Sequence, residues 1–273
     1  MNGNLMERFY LETPSLERKN EIIDYINEFV EYNSDINGSG SLDNILYGYT
    51  FEQSLEKCLN MQYEEYAKNL GRCQSKTFLL IRKNDNKIIG TINVRWNLTE
   101  EMKQFGGNIG YGIRPTERRK GYNKINLYLG LIEAKKIGLD KVMLDCDAEN
   151  LGSSKTMEAL GGKLERTEID PYDGILTSVY WINVDESLEK YKDEYVNFIE
   201  ETDEKRVMKW WIMIYMICFF LKLFHLFRNI VNELITVDEL KEIENKFNNF
   251  KRLVEEIKVK IKIVKDSTTC KKG

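Results

Sequence analysis

The sequence contains a single histidine, His225, and three prolines among 273 residues. With no histidine before residue 204, Ser-His-Asp and Cys-His nucleophile schemes and multi-histidine metal sites are excluded from that part of the chain. The five cysteines, Cys58, Cys73, Cys146, Cys218 and Cys270, are odd in number and show no C-x-x-C spacing. Neither a disulfide framework nor a thiolate metal site is expected, and the compartment is expected to be reducing. The opening residues, MNGNLMERFYLETPS, lack the apolar run of a secretory signal. Also missing are the P-loop pattern, G-x-x-x-x-G-K followed by Ser or Thr, and any G-x-G-x-x-G opening a helix after an early strand, which sets aside both common nucleotide loops.

The composition, 42% hydrophobic and 31% charged, is ordinary for a globular protein, and the length suffices for a sizeable core. Charge is unevenly spread. Residues 1–204 hold 25 Lys and Arg against 36 Asp and Glu, whereas residues 205–273 hold 15 against 8. An acidic first part suits a cationic amine and argues against a nucleic-acid partner.

The chain is organised around residues 106–131, GGNIGYGIRPTERRKGYNKINLYLGL. This stretch reads as a strand over 108–114, a break at Pro115, a basic turn Arg118-Arg119-Lys120-Gly121, and a helix carrying Ile125, Leu127, Leu129, Leu131 and Ile132. The first N–H groups of a helix lack partners inside the helix and carry partial positive charge, so they suit phosphate. Arg118, Arg119, Lys120 and Lys124 add full charges there, and Gly121 lets the backbone approach a pyrophosphate without a Cβ in the way. The alternative at this point is a solvated basic turn with a glycine cap. Gly110 and Gly112 lie inside the strand and mark a bulge or a ligand lying along the backbone.

The stretch resembles the GNAT superfamily of N-acetyltransferases, whose pyrophosphate loop has Arg or Gln, then Gly three positions later, then Gly or Ala two further on. Arg118 to Asn123 matches at Arg118 and Gly121 and departs at Asn123. A second segment, the strand 141–146 followed by Asn150-Leu151-Gly152-Ser153-Ser154 and a helix closed by Gly161-Gly162, is similar to another family pattern, with Asn150, Ser153, Glu158 and Gly161 in register. The resemblance covers roughly residues 8–184 and implies an α/β (α+β) fold, a mostly antiparallel twisted sheet with helices on both faces.

It also implies acetyl transfer from acetyl-CoA to a primary amine of a small molecule or peptide, with no metal. Tyr111, Gly112 and Ile113 would bind the pantetheine and the oxyanion through their backbone. Arg118, Arg119, Lys120, Gly121, Tyr122, Asn123 and Lys124 would hold the pyrophosphate, and Asn150 and Ser153 would bond along the pantetheine arm, although Asn150 also has the chemistry of a helix N-cap. The slot where many members carry a general-acid tyrosine holds Met157, and Asn108 stands where a base glutamate is common. Asp145, Asp147 and Glu149 are the nearest carboxylates by this layout, Asp145 being taken as the catalytic candidate with Tyr172 as a substitute acid. A noncatalytic acyl-CoA-binding module is the alternative that these departures keep open.

Around this centre the pattern predicts a strand over 8–12, a helix with Ile22, Ile23, Ile26, Phe29 and Val30 on its apolar face, and a loop over 33–43 acting as a connector or a lid over the acceptor. It then predicts one helix over 51–70 with Leu55, Cys58, Leu59, Tyr63, Tyr66 and Leu70 on its apolar side. A strand pair follows around Asn84-Asp85-Asn86, and final strands over 163–168 and 175–184.

After residue 204 the composition changes. Residues 1–204 are expected to form the transferase domain and residues 205–273 a helical extension, with an apolar helix near 207–235 and a heptad-patterned helix near 237–265. The apolar stretch 210–227, interrupted by Lys222 and His225, stands at the lower length limit of a membrane span. A cytoplasmic protein is expected, in which the tail folds back as a hairpin of its two helices, self-associates through 207–265, or contacts a membrane through 210–227.

Overall fold

The computed structural model describes residues 7–200 and the helical, exposed positions 245, 246, 248, 249 and 252. The chain divides into two compact units, Met1–Glu200 and Glu201–Gly273. The helices expected near 207–235 and 237–265, with Lys222 and His225, lie outside the described residues apart from those five positions.

In the first unit, β1 (Phe9–Glu12) precedes α1 (Lys19–Glu31), α2 (Phe51–Asn60) and α3 (Glu64–Asn69). The strands β2 (Gln74–Arg82), β3 (Lys87–Trp96) and β4 (Ile109–Ile113) follow, then α4 (Tyr122–Lys136), β5 (Lys141–Asp147), α5 (Leu151–Ala159), β6 (Lys163–Ile169), β7 (Leu176–Asn183), α6 (Val184–Lys190) and α7 (Lys192–Tyr195). The strands form two antiparallel sheets, in the orders β1-β2-β3-β4 and β5-β7-β6.

α1 and α2 cover one face of the first sheet, where Ile22, Tyr25, Ile26, Phe29, Leu55 and Cys58 pack on Leu79, Ile81 and Ile88. α4 covers the other face and is apolar nearly all round, because Leu127, Leu131 and Ala134 are enclosed between the sheet and α5 and α6. The fold is thus the mixed, mostly antiparallel α/β arrangement expected, with helices on both faces.

The two sheets meet at one joint. Asn108 N donates to Met143 O at 2.7 Å, and Met143 N donates to the Asn108 side-chain Oδ1 at 2.9 Å. Beyond it β4 pairs, among the described residues, only with β3, so β4 and β5 part and leave a cleft between their C-terminal ends.

Three local expectations are corrected. The helix over 51–70 is two helices, because the carbonyls of Met61 and Gln62 accept from Ser75 N and the Gln74 side chain instead of continuing the helical ladder. Val30, Tyr63 and Leu70 are exposed and Tyr66 is half-buried, rather than forming part of a buried face. α6 and α7 extend the domain after β7, where the sequence was read only as the end of the sheet.

Candidate active site

The cleft between the parted strands encloses about 520 Å³ and is walled by β4, the 118–124 turn and the N-terminal half of α5. The turn owes its shape to two residues in the left-handed region, Arg119 at φ 63° and Gly121 at φ 84°. Gly121 fits without strain because it has no Cβ, and a Cβ built there would meet only open space. Among the described residues no side chain caps α4, and in the turn only the Arg118 and Lys124 N–H groups find backbone acceptors, on Pro115 and Gly121. Among the described residues the N–H groups of Gly121, Tyr122 and Asn123 therefore have no partner, at the positive end of a 15-residue helix.

Arg118 is fixed rather than free. Its Nε donates to Ile113 O at 3.1 Å, its Nη2 donates to Ser34 Oγ at 2.7 Å, and its guanidinium lies 5.4 Å from the Phe29 ring centroid. Beneath the turn, Glu117 accepts from Lys120 at 2.7 Å, Arg82 at 3.0 Å and Lys87 at 3.0 Å. Burial would raise the Glu117 carboxyl, but the three cations win and hold it at about 2. Lys120 is thereby drawn out of the cleft wall, whereas Arg119 and Lys124 remain in it.

On β4, Arg114 N donates to Ile89 O and Gly112 stands opposite Thr91, which puts the even-numbered residues in bonding pairs with β3. Tyr111 and Ile113 consequently turn their N–H groups away from β3, toward the cleft. Tyr111 is also tied across the gap, its hydroxyl donating to Ser153 O at 3.3 Å, and burial pushes that phenol up.

The structure thus brings Tyr111, Gly112, Ile113, Arg118, Arg119, Gly121, Tyr122, Asn123, Lys124, Asn150 and Ser153 to one cleft and leaves Lys120 outside its lining. Asn150 acts as an N-cap, its Oδ1 accepting from Ser153 N at 3.1 Å, which leaves its amide nitrogen to donate to a ligand. The cleft also takes Phe29, Ser34, Asp35 and Asn37 from the end of α1 and the following loop, and Lys155 and Thr156 from α5, none of which the motifs marked. The 33–43 loop packs on β4: a Cβ added at Gly112 would stand 2.7 Å from Asn37 O.

Asp145 and Tyr172 contribute nothing to the cleft lining. Asp145 accepts the Gly106 N–H at 2.5 Å, and burial pushes its carboxyl up. Tyr172 is exposed on the turn between β6 and β7. Met157 is fully enclosed in the main core, and Asn108 is spent on the joint, its Nδ2 donating to Arg95 O at 3.2 Å. Burial, with Asp145 and Asp147 nearby, pushes the Cys146 thiol up to about 11, so it is a neutral thiol at physiological pH and a poor nucleophile. Among the described residues no cluster of side chains could hold a metal, and no helix is long and apolar enough to cross a membrane.

Residues 45–163 match the family model of the acetyltransferase (GNAT) domain. No curated protein matches the sequence. Among solved structures, the chain is similar to RimL, a ribosomal L7/L12 alpha-N-protein acetyltransferase in complex with coenzyme A, at 14% identity and a TM-score of 0.46, over 65% of this chain and 96% of that one. It is similar to the microcin C7 self-immunity acetyltransferase MccE in complex with acetyl-CoA and AMP, at 18% identity and a TM-score of 0.43, over 64% and 91%. It is also similar to a GNAT-family acetyltransferase from Bacillus anthracis, at 19% identity and a TM-score of 0.41, over 65% and 96%. The stretch that matches the family model includes β4, the 118–124 turn and α5, the three elements that wall the cleft.

Proposed function

We propose that the protein transfers an acetyl group from acetyl-CoA to a primary amine of a small molecule or peptide. The observation that carries this reading is the uncapped start of α4, where unpartnered N–H groups, an open Gly121 and the cations Arg119 and Lys124 face one cleft. Those groups suit the pyrophosphate of coenzyme A, and the cleft between β4 and α5 suits its pantetheine arm. Acetyl-CoA supplies the thioester whose carbonyl the amine attacks.

In this reading the Tyr111 and Ile113 N–H groups, turned away from β3, are the donors for the developing oxyanion, and the amide nitrogen of Asn150 bonds the arm. A new N–C bond forms as the C–S bond breaks; the acceptor ammonium yields one proton to the thiolate and one to solvent. Positioning and oxyanion stabilisation carry the rate, because Met157 cannot donate a proton and Asn108 cannot accept one. Asp145 and Tyr172, neither of which lines the cleft, would act on the acceptor only from outside it.

A second reading, a noncatalytic acyl-CoA-binding module, is favoured by the burial of Met157 in the acid slot. Acetyl-CoA turnover against a panel of amines, followed by thiol release, separates the two: acceptor-dependent release supports the enzyme, and binding without release supports the module.

We further propose a cytoplasmic location, a domain boundary near residue 204, and a tail over 207–265 that folds back as a hairpin, joins a second copy or contacts a membrane. Fractionation of the full chain and of residues 1–204 tests this. A full chain that is soluble without detergent ends the membrane option, and its sedimentation mass then reports self-association.

A further inference from the structure

A second cavity, of about 480 Å³, shares Asn37 with the cleft and is lined by polar groups, including Ser39, Ser41, Ser75, Asn93 and Arg95. Arg95 is its most unusual feature. Its Nε donates to Asn93 Oδ1 at 2.8 Å, and its Nη1 donates to Gly106 O at 2.7 Å and Gly107 O at 3.3 Å. Asn93 is itself held, its Nδ2 donating to Thr77 Oγ1 at 2.9 Å. The guanidinium is therefore locked in place, while Nη2 has no hydrogen-bond partner among the described residues.

That free nitrogen lies against β4, because a Cβ added at Gly110 would stand 2.7 Å from it. It is thus beside the residue preceding Tyr111, on the strand that lines the cleft, and Gly38 of the second cavity packs on that same strand, since a Cβ added there would stand 2.6 Å from Gly110 O. Among the described residues no carboxylate pairs with Arg95. Asp145 attracts it from a distance but spends an oxygen on Gly106 N–H. The other charged lining residues are Arg72 and Glu101, both exposed, and Asp43, which accepts from Ser39 Oγ at 2.7 Å. Arg95 is half-buried and, among the described residues, without a paired counter-charge, and with Nε and Nη1 bonded its Nη2 offers one fixed, charge-assisted donor that a carboxylate oxygen fits.

We propose that this cavity receives the acceptor, and that Arg95 seats the carboxylate of an amino-acid-type amine whose nitrogen is directed toward β4. The inference rests on the acetyl-transfer reading and narrows its acceptor to small zwitterionic amines, which suits a cavity of this volume. Transfer then converts the acceptor's ammonium into an amide, with one proton passing to the coenzyme A thiolate and one to solvent, while the carboxylate stays on Arg95.

The test is calorimetric. The full chain saturated with coenzyme A is titrated with the twenty common amino acids, β-alanine and γ-aminobutyrate, and the tightest binder is then compared with its own carboxamide. The expected result is binding of at least one amino acid, at least tenfold weaker binding of its carboxamide, and loss of that preference in Arg95→Met. Absence of any binding, equal binding of acid and amide, or a preference that survives Arg95→Met in a folded variant overturns the inference. Should Arg95→Met fail to fold, the acid-amide comparison on the unaltered chain decides by itself. Failure of coenzyme A to bind the unaltered chain refutes the acetyl-transfer reading instead, so the two failures are distinguishable.

Discussion

Replacing Glu117 with glutamine removes one negative charge from beneath the 118–121 turn and leaves Arg82, Lys87 and Lys120 facing a neutral amide. The Glu117 side chain is only 5% exposed, so solvent screens these contacts poorly. Its carboxyl falls from an ordinary 4.5 to about 2 in the folded chain. At about 1.4 kcal/mol per unit, the ionised form contributes roughly 3 kcal/mol of stability at neutral pH. A depressed carboxyl stabilises the fold above its unfolded value and ceases to do so as pH falls through its folded value. The gap between the unaltered chain and Glu117→Gln should therefore be about 3 kcal/mol at pH 7, shrink from about pH 4.5 downward, and vanish near pH 2. Urea melts of both proteins at pH 7, 4, 3 and 2 measure it, and taking the difference cancels the titration of the other carboxylates. A gap below about 1 kcal/mol at pH 7, or one that persists undiminished at pH 2, would refute the assignment of Glu117 as the anchor of the turn.

Two further changes probe the cleft. Gly121→Ala places a Cβ at φ 84° and should cost about 1 kcal/mol of stability by thermal melting, while weakening coenzyme A binding by more than that strain accounts for. Met157→Leu conserves volume in the core and should keep most of the acetyl-CoA turnover; a thousandfold fall with the fold intact would mean that the side chain acts in catalysis.

The legible parts of the fold were those set by local chemistry. Pro115 and Gly121 bracket the turn, and the helix begins at Tyr122 and runs to Lys136 as the apolar spacing indicated. Asn150 caps α5 through its own side chain, as its residue type and position suggested. What could not be read depends on contacts distant in sequence. The break after Asn60 arises because β2 captures two carbonyls, and the parting of the sheets depends on Asn108 bonding Met143, thirty-five positions away. Lys120 reads as one more cation of the turn until Arg82 and Lys87 are seen converging on the same Glu117. Arg95 reads as a polar residue near the end of a strand, and only its bonds to the carbonyls of Gly106 and Gly107 reveal a locked guanidinium.

The central claim is that the turn before α4 holds the pyrophosphate of coenzyme A, and charge reversal tests it most directly. Charge-assisted bonds to phosphate are worth about 1.5–3 kcal/mol each, so Arg118→Glu with Arg119→Glu should weaken coenzyme A binding at least a hundredfold. Calorimetric titration of coenzyme A into the unaltered chain and the folded double variant gives the answer. A loss of that size agrees with the account, whereas equal affinity in the two proteins would contradict it.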